Sequence, residues 1–374
     1  MSKTYIKLKD LITEYRVLNV QSLYKPVAVG KYGIRSRESI YSKELANDYS
    51  KNKLIYKGTL TIGMGSKQID IGILSEDVIY SVSPAYHTYY INGIDFNYLR
   101  YCLECRNRDM FIRYAKRGTR QGKTINFSDW LEYEIPVHDE TTQLEIVFIL
   151  DKVTHTIDLC NAILEKQDML VKSRFVEMFG EPSTNPMNWE STTIGNVCHY
   201  IKDGPHKSLP DVGKEQGYPF ISARNIVNGF IDFSTAKYIS KSDYEESIRK
   251  CHPKKGDMLY SKGGTTGIAK LIDVDIEFAN WVHVAVLKFD DTLNGIFFEN
   301  MLNSDYCYEQ SQRLTKGIAN RDLVLSAMAQ IKIFKPPIAL QEQFAAFVEQ
   351  TDKSKFIVIN IKKNIRRVRL YDQF

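Results

Sequence analysis

The chain has 374 residues, of which 43% are hydrophobic, 12% aromatic and 25% charged. This length and composition are those of a folded protein of about two domains, and they exclude a single small module and a wholly disordered chain. The formal net charge of +5 identifies no partner, because a protein that binds nucleic acid alone usually has a strongly basic surface.

The N-terminus and the cysteines indicate a cytoplasmic protein. Residues 1–10 lack the apolar core of a signal peptide, and no apolar run approaches the ~20 residues of a membrane span. The six cysteines are scattered rather than arranged as in a secreted disulfide scaffold. We therefore expect a soluble, cytoplasmic protein without a membrane or lipid anchor.

Residues 1–137 predict a mixed domain of strands and helices. Alternating apolar runs such as Ile69-Asp70-Ile71 indicate antiparallel strands, and turn signals such as Gly63-Met64-Gly65 separate them. One helix is expected at about Phe96–Ala115. A basic, glycine-containing loop at residues 117–120 follows it, and then a short strand that leads to Pro136.

Residues 138–182 predict one long helix that ends before Gly180 and Pro182. For one such segment alone, the simpler interpretation is an amphipathic helix packed on its own domain. The pattern is nevertheless that of a coiled coil, because apolar or small residues recur at alternating spacings of four and three with one interruption at Gln167. These residues are Ile146, Leu150, Val153, Ile157, Cys160, Leu164 and Val171.

The second half of the chain repeats the order of the first. Residues 117–120 correspond to 316–319, Pro136 to Pro336 and Gln143 to Gln343, at separations of 199 or 200 residues. Residues 183–336 predict a second mixed domain, with a helix at about Phe297–Leu314, and residues 337–374 predict a second long helix. Its heptad positions are Leu340, Phe344, Phe347, Thr351, Ser354, Val358, Ile361, Ile365 and Val368.

Two such helices, each closing one repeat, favour pairing with each other. Antiparallel pairing is the simplest, because the first helix leads into a second domain and the second helix follows it. The predicted fold class is α+β: two mixed α/β domains separated by a long antiparallel two-helix coiled coil, with an internal pseudo-two-fold repeat.

The motifs that would indicate catalysis are incomplete. The segment Arg120–Thr124 resembles a phosphate-binding loop, but only three residues separate Gly118 from Gly122 where a Walker A motif needs four. Cys102 and Cys105 have zinc-ligand spacing, but no second pair of ligands follows at a usable distance. We expect no catalytic, cofactor-binding or metal-binding site in this chain.

Several loops are instead suited to nucleic acid. Arginine can read guanine, asparagine and glutamine can read adenine, and lysine and hydroxyl groups bind phosphate. Each loop by itself is more simply a solvated turn, so the prediction depends on their presence in both repeated domains. The candidate DNA-binding residues are Lys31, Tyr32, Arg35, Arg37, Lys67, Gln68, Arg117, Arg120, Lys123, Lys202, His206, Lys207, Arg224, Asn225, Lys262, Gly263, Gly264, Thr265, Thr266, Lys316 and Arg321.

The whole arrangement resembles the specificity (S) subunit of type I restriction–modification enzymes. The long-helix segments carry the resemblance through Ile135-Pro136 before Gln143, Lys335-Pro336-Pro337 before Leu340–Phe344, and Lys172–Gly180. Thr141-Thr142 departs from the usual acidic pair. The second domain resembles a frequent form of the family's target-recognition domain in three stretches: Asp203–His206, Pro219–Ile226 and Lys255–Ser261.

This resemblance implies a DNA-recognition subunit that is not an enzyme by itself. Residues 1–137 and 183–336 would be target-recognition domains, each reading half of a bipartite, asymmetric site in double-stranded DNA. The helices in 138–182 and 337–374 would set the gap between the half-sites and dock two modification (adenine methyltransferase) subunits, with restriction (motor) subunits joining them. The residues expected to pair the helices and dock subunits are Ile146, Leu150, Val153, Ile157, Leu164, Phe344, Phe347, Val358, Ile361 and Ile365.

The resemblance also assigns the chemistry to those partners. S-adenosylmethionine, ATP and Mg²⁺ would be bound by the partner subunits, and no cofactor by this chain. The alternative from another class is the recognition part of a self-sufficient restriction–methylation enzyme or nuclease.

Overall fold

The computed structural model describes residues 3–41, 48–117, 123–227, 229–317 and 321–371. Its contacts divide the chain into two units. Unit 1 comprises Met1–Leu159 and Ile361–Phe374, and unit 2 comprises Cys160–Asn360.

Unit 1 contains a mixed α/β domain followed by the start of a long helix. The elements through the end of that helix are β1 (Thr4–Lys7), α1 (Leu8–Leu11), β2 (Ile12–Glu14), β3 (Val27–Gly30), β4 (Gly33–Ser36), β5 (Lys53–Ile55), β6 (Leu60–Met64), β7 (Ile69–Ile73), β8 (Tyr80–Val82), β9 (His87–Ile91), α2 (Phe96–Tyr114), β10 (Ala115–Arg117), β11 (Lys123–Ile125), α3 (Phe127–Trp130), β12 (Glu134–Val137) and α4 (Glu140–Phe179).

The central sheet of unit 1 is antiparallel, with the strand order β2-β9-β6-β7. Asp95 caps the N-terminus of helix α2, and its carboxylate accepts a hydrogen bond from the Tyr98 N–H group. Apolar side chains of the sheet, of α2 and of the first turns of α4 form one buried cluster that includes Ile62, Leu99 and Leu150. The long helix therefore begins as part of the domain core.

Unit 2 contains a second mixed domain and most of the second long helix. Its elements after α4 are β13 (Glu190–Thr193), α5 (Ile194–Val197), β14 (Cys198–Asp203), β15 (Tyr218–Ile221), β16 (Lys237–Ile239), α6 (Lys241–Lys250), β17 (Met258–Ser261), β18 (Ala269–Leu271), β19 (Ala279–Asn280), β20 (Val284–Phe289), α7 (Gly295–Leu302), α8 (Asp305–Leu314), α9 (Leu325–Met328), β21 (Lys332–Lys335) and α10 (Ile338–Tyr371), which continues into unit 1.

The central sheet of unit 2 has the order β14-β20-β17-β18, which reproduces the β2-β9-β6-β7 order of unit 1. In both units a strand before the sheet pairs with the strand before the long helix, as β1 with β12 and β13 with β21. The predicted internal repeat is therefore present in the fold. Unit 2 also has a three-stranded sheet, β16-β15-β19, in which β15 and β19 are parallel.

The register of the strand before the long helix differs from the predicted one by two residues. The Leu8 N–H group donates to the Tyr133 carbonyl oxygen at 3.0 Å, and in unit 2 the Ile194 N–H group donates to the Ile331 carbonyl oxygen at 3.0 Å. Tyr133 is thus equivalent to Ile331, not to Ile333. A slip of two residues keeps every strand side chain on the same face, so alternation in the sequence does not detect it.

The helix predicted over Phe297–Leu314 is interrupted. Helix α7 ends at Leu302, and the Ser304 hydroxyl caps a new helix, α8, by accepting a hydrogen bond from the Cys307 N–H group at 3.4 Å. Between them the Asn303 side chain donates to and accepts from the backbone of Ala269 at 2.9 Å. The Asn303 and Ser304 side chains interrupt the helix by forming hydrogen bonds to backbone groups. The spacing of apolar residues does not reveal such bonds, so it predicts one continuous helix.

Within unit 2 the two long helices pack antiparallel. Phe175 of α4 contacts Phe344 of α10 with ring centroids 5.4 Å apart. Further back along α4, Gln167 Nε2 donates to Ser354 Oγ at 2.9 Å, and Asp168 Oδ1 lies 2.8 Å from Lys355 Nζ. Residue numbers fall along α4 as they rise along α10, as the predicted antiparallel coiled coil requires.

Candidate nucleic-acid interface

Three loop segments meet at one end of the unit 2 sheet. The C-terminal ends of β14 and β17 lie at this end because both strands are antiparallel to β20. The segments that leave it are 203–207 and 262–267. Residues 316–317 and 321–322 join them, since Gly263 and Asp322 form a β-bridge and the Gly264 N–H group donates to the Arg321 carbonyl oxygen at 3.1 Å.

A buried lysine connects these segments. The Lys262 side chain is 6% exposed, and its Nζ atom lies 2.8 Å from Asp322 Oδ1 and 3.6 Å from Asp203 Oδ2. Lys250 binds the other carboxylate oxygen of Asp203 at 2.9 Å and the Gly204 carbonyl oxygen at 2.8 Å. Sequence reasoning did not select Lys250, because nothing in its local sequence indicates that it reaches Asp203.

Four of the predicted DNA contacts in unit 2 are buried within the protein. The ammonium group of Lys262 is held by protein carboxylates. Gly263 packs so tightly against His283 that a Cβ atom would lie 1.9 Å from Nδ1. Thr266 is buried, and its oxygens accept from Gln312. The fourth residue is Asn225, described below.

The remaining predicted residues of these segments are exposed. His206 lies 3.8 Å from Asp203, Lys207 lies 3.9 Å from Glu246, and the Lys202 ammonium group lies 5.2 Å from the Tyr200 ring centroid. Burial raises the pKa of Tyr200 to about 12, so its ring stays neutral beside the lysine. The exposed set is Lys202, His206, Lys207, Gly264, Thr265, Lys316 and Arg321.

A rigid turn presents Arg224 to solvent. Residues Ala223–Asn225 form a single 3₁₀ turn, capped by reciprocal hydrogen bonds between Ser222 and Asn225. Asn225 is 2% exposed, and its amide also donates to the Asp232 carbonyl oxygen and to Thr235 Oγ1. This bonding leaves Asn225 unable to read a base, whereas the neighbouring Arg224 is exposed and bonds only weakly to Ser222 Oγ at 3.4 Å.

A cavity of about 370 Å³ opens beside this turn. Asp211, Phe220 and Lys237 line it together with the turn, and Trp281 closes one side. Hydrogen bonds from the backbone N–H groups of Gly213 and Tyr238 lower the pKa of Asp211, so its carboxylate stays charged. The cavity places an anion and two cations around one concave surface, which the sequence did not indicate because these residues come from separate loops.

In unit 1, two aromatic–cation groups lie on and beside the β3–β4 hairpin. Lys31 and Arg35 flank the exposed Tyr32 ring, at 5.2 and 5.3 Å from its centroid. Arg37 stacks on Tyr49 at 5.3 Å and donates to its hydroxyl at 3.2 Å. Stacking of this kind orders long cationic side chains while leaving their charge available to a phosphate.

The other predicted residues of unit 1 lie on two hairpin segments. Lys67 is exposed and Gln68 half-buried in the turn between β6 and β7. Arg117 and Lys123 pair across β10 and β11, where the structure describes only their backbone. Arg120 lies outside the described residues.

The predicted helix-pairing residues divide into buried and exposed groups. Ile146, Leu150, Ile157 and Phe344 are buried, and Val153, Leu164, Phe347, Val358 and Ile365 are half-buried. Ile361 is 44% exposed, so this heptad position is not buried as the pattern predicts. The prediction from the sequence did not include six large apolar side chains that the helices expose: Leu144, Phe148, Met169, Leu170, Phe356 and Ile357.

The described part of the chain has neither a metal-ligand cluster nor a helix that could span a membrane. There, no group of three or more histidine, cysteine, aspartate or glutamate residues has the geometry of a metal site. Cys102 is buried in α2 while Cys105 is exposed. No described helix is both long enough and apolar enough to cross a bilayer.

Comparison with known proteins gives one family and a set of similar folds. Residues 186–367 match the family model of the type I restriction modification DNA specificity domain. The chain resembles the crystal structure of a type I restriction-modification system S subunit from M. genitalium, with a TM-score of 0.58 and 15% sequence identity over 98% of this chain and 94% of that one. A second similar chain, with a TM-score of 0.52 and 16% identity over 98% and 95%, comes from a structure concerned with complex assembly and conformational transition of the type I R-M system.

Proposed function

We propose, from the match of residues 186–367 to the type I restriction modification DNA specificity domain, that this chain is the recognition subunit of a restriction–modification complex. It reads a bipartite, asymmetric site in double-stranded DNA, one half with each mixed domain. It is not an enzyme by itself. Two modification subunits that methylate adenine dock on it, and restriction subunits join that assembly.

The observation that carries this proposal is the repetition of one fold in two units with different surfaces. Both units have the same central strand order, and each mixed domain leads directly into a long helix. Unit 1 adds the β3–β4 hairpin with its stacked cations, whereas unit 2 adds the β15–β16–β19 sheet with Arg224. Equivalent frameworks with different exposed side chains suit the reading of two different half-sites.

The exposed cations supply the proposed contacts to DNA. In unit 2, Lys202, Lys207, Lys316 and Arg321 surround one end of the sheet and bind phosphates, while Arg224 on its rigid turn is placed to contact a base edge. In unit 1 the corresponding contacts come from Lys31, Arg35, Arg37 and Lys67. The net charge of +5 is small for independent DNA binding, which supports binding as part of a complex that encloses the DNA.

The long helices supply the proposed docking surface. Phe356 and Ile357 are 66% and 60% exposed on α10, and they border a groove of about 670 Å³ that also includes Ile296 of α7. Exposed apolar side chains of this size usually mark an interface. The modification subunits that cover them supply the S-adenosylmethionine site, and the restriction subunits supply ATP and Mg²⁺ chemistry, so this chain needs no cofactor of its own.

Methylation by the reconstituted complex tests the proposal. The chain is purified alone and together with the modification subunit encoded beside it, and methylated adenines are mapped on random-sequence DNA. We expect a split motif that requires both proteins, with the modification subunit alone inactive. Methyl transfer or cleavage by the chain alone would instead indicate the self-sufficient enzyme, and a continuous motif would contradict two separate readers.

A further inference from the structure

Each long helix carries one buried glutamine in its first turns. Gln143 of α4 accepts a hydrogen bond from the Asp95 N–H group through Oε1 at 2.9 Å, and its Nε2 atom donates to the His138 carbonyl oxygen at 2.7 Å. Asp95 is the residue that caps α2, and His138 follows β12. One side chain thus joins the long helix to the two segments of the mixed domain that adjoin it.

The same arrangement occurs in unit 2. Gln341 of α10 accepts from the Asn294 N–H group at 2.9 Å and donates to the Pro336 carbonyl oxygen at 2.7 Å. Asn294 caps α7 as Asp95 caps α2, and Pro336 directly follows β21 as His138 directly follows β12. A further bond from Nε2 reaches the Thr292 carbonyl oxygen at 3.1 Å.

A buried amide at this position does something that an apolar side chain cannot. Gln143 is 5% exposed and Gln341 fully buried, so each amide must find partners within the protein to offset the loss of water. Hydrogen bonds are directional, so two bonds to two different backbone segments hold the helix at one orientation. An apolar residue of equal volume would fill the space but leave that orientation less sharply defined.

We propose that Gln143 and Gln341 are positioning residues that hold each mixed domain at a defined angle on its long helix, and through that angle set the gap between half-sites that the complex accepts. The inference rests on the proposed function. It follows from the occurrence of the same amide bridge in two units whose sequences around it differ, Asp95 and His138 in one and Asn294 and Pro336 in the other.

The test compares methylation across a series of gaps. Complexes with the modification subunit carry Gln143→Met, Gln341→Met or both, and rates are measured on duplexes whose half-sites are separated by the preferred gap or by one base pair more or fewer. Methionine keeps the length of the side chain and removes both hydrogen bonds. Gln343→Met is the matched control, because Gln343 is exposed on the same helix two residues away.

We expect each bridge variant to lower the ratio of rates between the preferred and altered gaps by about threefold to tenfold, the equivalent of one or two lost hydrogen bonds. The base preferences within each half-site and the Gln343→Met ratio stay unchanged. The ratio does not depend on the fraction of active protein, so a purely structural role would lower all rates together and leave it constant, which would overturn the proposal.

Near-isosteric variants cover the case in which methionine prevents folding. Gln143→Glu and Gln341→Glu keep the acceptor for the Asp95 or Asn294 N–H group, and in their ionised form, favoured by measuring at pH 8, they cannot donate to the carbonyl oxygen. We expect the same change of ratio from them, and an unchanged ratio would again overturn the proposal. If the unmodified complex methylates no split site, the proposed function itself fails, an outcome that is visible before any variant is examined.

Discussion

The ammonium group of Lys262 lies 2.8 Å from a carboxylate oxygen of Asp322, in a place where the lysine side chain is almost completely shielded from water. Lys262 follows β17, and Asp322 is 60 residues away at the end of another loop. The ion pair, with Asp203 as a second anion, ties together the segments that carry the exposed cations Lys207, Lys316 and Arg321. The ion pair holds those segments together, and we propose that the exposed residues beside it meet DNA.

We predict that Lys262→Met lowers the free energy of unfolding of unit 2 by about 2–4 kcal/mol, because it leaves two carboxylates without their shared cation. Urea denaturation monitored by circular dichroism measures this change. Lys255→Met is the control: its ion pair with Asp275 is exposed on both sides, and we expect its loss to change stability by less than about 0.5 kcal/mol. Equal effects of the two substitutions would refute the structural role of Lys262.

Adjacent residues of the Ser222–Asn225 turn are expected to behave oppositely. Asn225→Ala removes a buried amide with several hydrogen bonds and should destabilise unit 2 by about 1–3 kcal/mol. Arg224→Ala should leave stability unchanged and weaken binding of specific DNA by the complex about tenfold to a hundredfold, the usual loss for an arginine–base contact. Thermal unfolding and fluorescence anisotropy at one fixed salt concentration separate the two effects. Loss of stability without loss of binding in Arg224→Ala would exclude base contact.

Substitution of two phenylalanines of α10 should separate an effect on stability from an effect on assembly. Phe344 is fully buried between the rings of Phe175 and Phe179, and Phe344→Ala should cost about 3–5 kcal/mol of stability. Phe356 is 66% exposed, so Phe356→Ala should leave the unfolding curve unchanged but weaken association with the modification subunit. Analytical ultracentrifugation of mixtures reports association. If Phe356→Ala assembles as the unmodified chain does, the docking surface lies elsewhere.

The cysteines should differ sharply in reactivity. Burial raises the pKa of the Cys102, Cys198 and Cys307 thiols to about 12, and that of Cys251 to about 11. At pH 8 a thiol of pKa 12 is roughly one part in ten thousand thiolate, the form that reacts.

We therefore expect iodoacetamide to modify the exposed Cys105 and to spare the buried thiols until the protein is denatured, as mass spectrometry of peptides would show. Cys105→Ser should abolish the rapid reaction. Raising the pH should speed modification of a raised-pKa thiol only if it is also accessible, so rapid labelling of Cys307 at any pH would show that its core opens.

The spacer role of the helices predicts the effect of a change in their length. Seven residues inserted into α4 alone lengthen it by about 10 Å, which corresponds to about three base pairs of DNA. We expect such an insertion to impair assembly or to alter the gap of the methylated motif, with both half-site sequences retained. Mapping methylated adenines reveals which occurs. A change of base preference within a half-site would disprove the spacer role.

The element order follows from local signals in the sequence. Heptad spacing predicts both long helices, and the structure places them at Glu140–Phe179 and Ile338–Tyr371. The register of the repeat is a different matter. Sequence comparison pairs Gln143 with Gln343, whereas the hydrogen bonds pair Gln143 with Gln341, because two glutamines lie in one helical turn and only burial distinguishes them.

In the candidate nucleic-acid interface, too, the sequence predicts some features and only the structure shows the others. The sequence identifies the loops that carry basic and amide residues, because residue types can be seen without knowledge of the fold. Whether one of these side chains is exposed depends on its tertiary contacts: Lys262 binds Asp322, 60 residues away, and Asn225 binds Asp232 and Thr235. Such pairings arise only when the chain closes on itself, so residue types alone cannot tell a buried ion pair from a free cation.

Periodicity and turn residues therefore suffice to predict two repeated domains and two long helices, because the patterns that mark these elements recur within a few residues of one another. The assignment of each polar side chain to the core or to the surface required the folded chain. There, a buried amide or charge is stabilised by a partner that the fold brings close, whichever part of the chain supplies it. Gln341 and Lys262 were bound in this way, and Arg224 was left exposed to solvent.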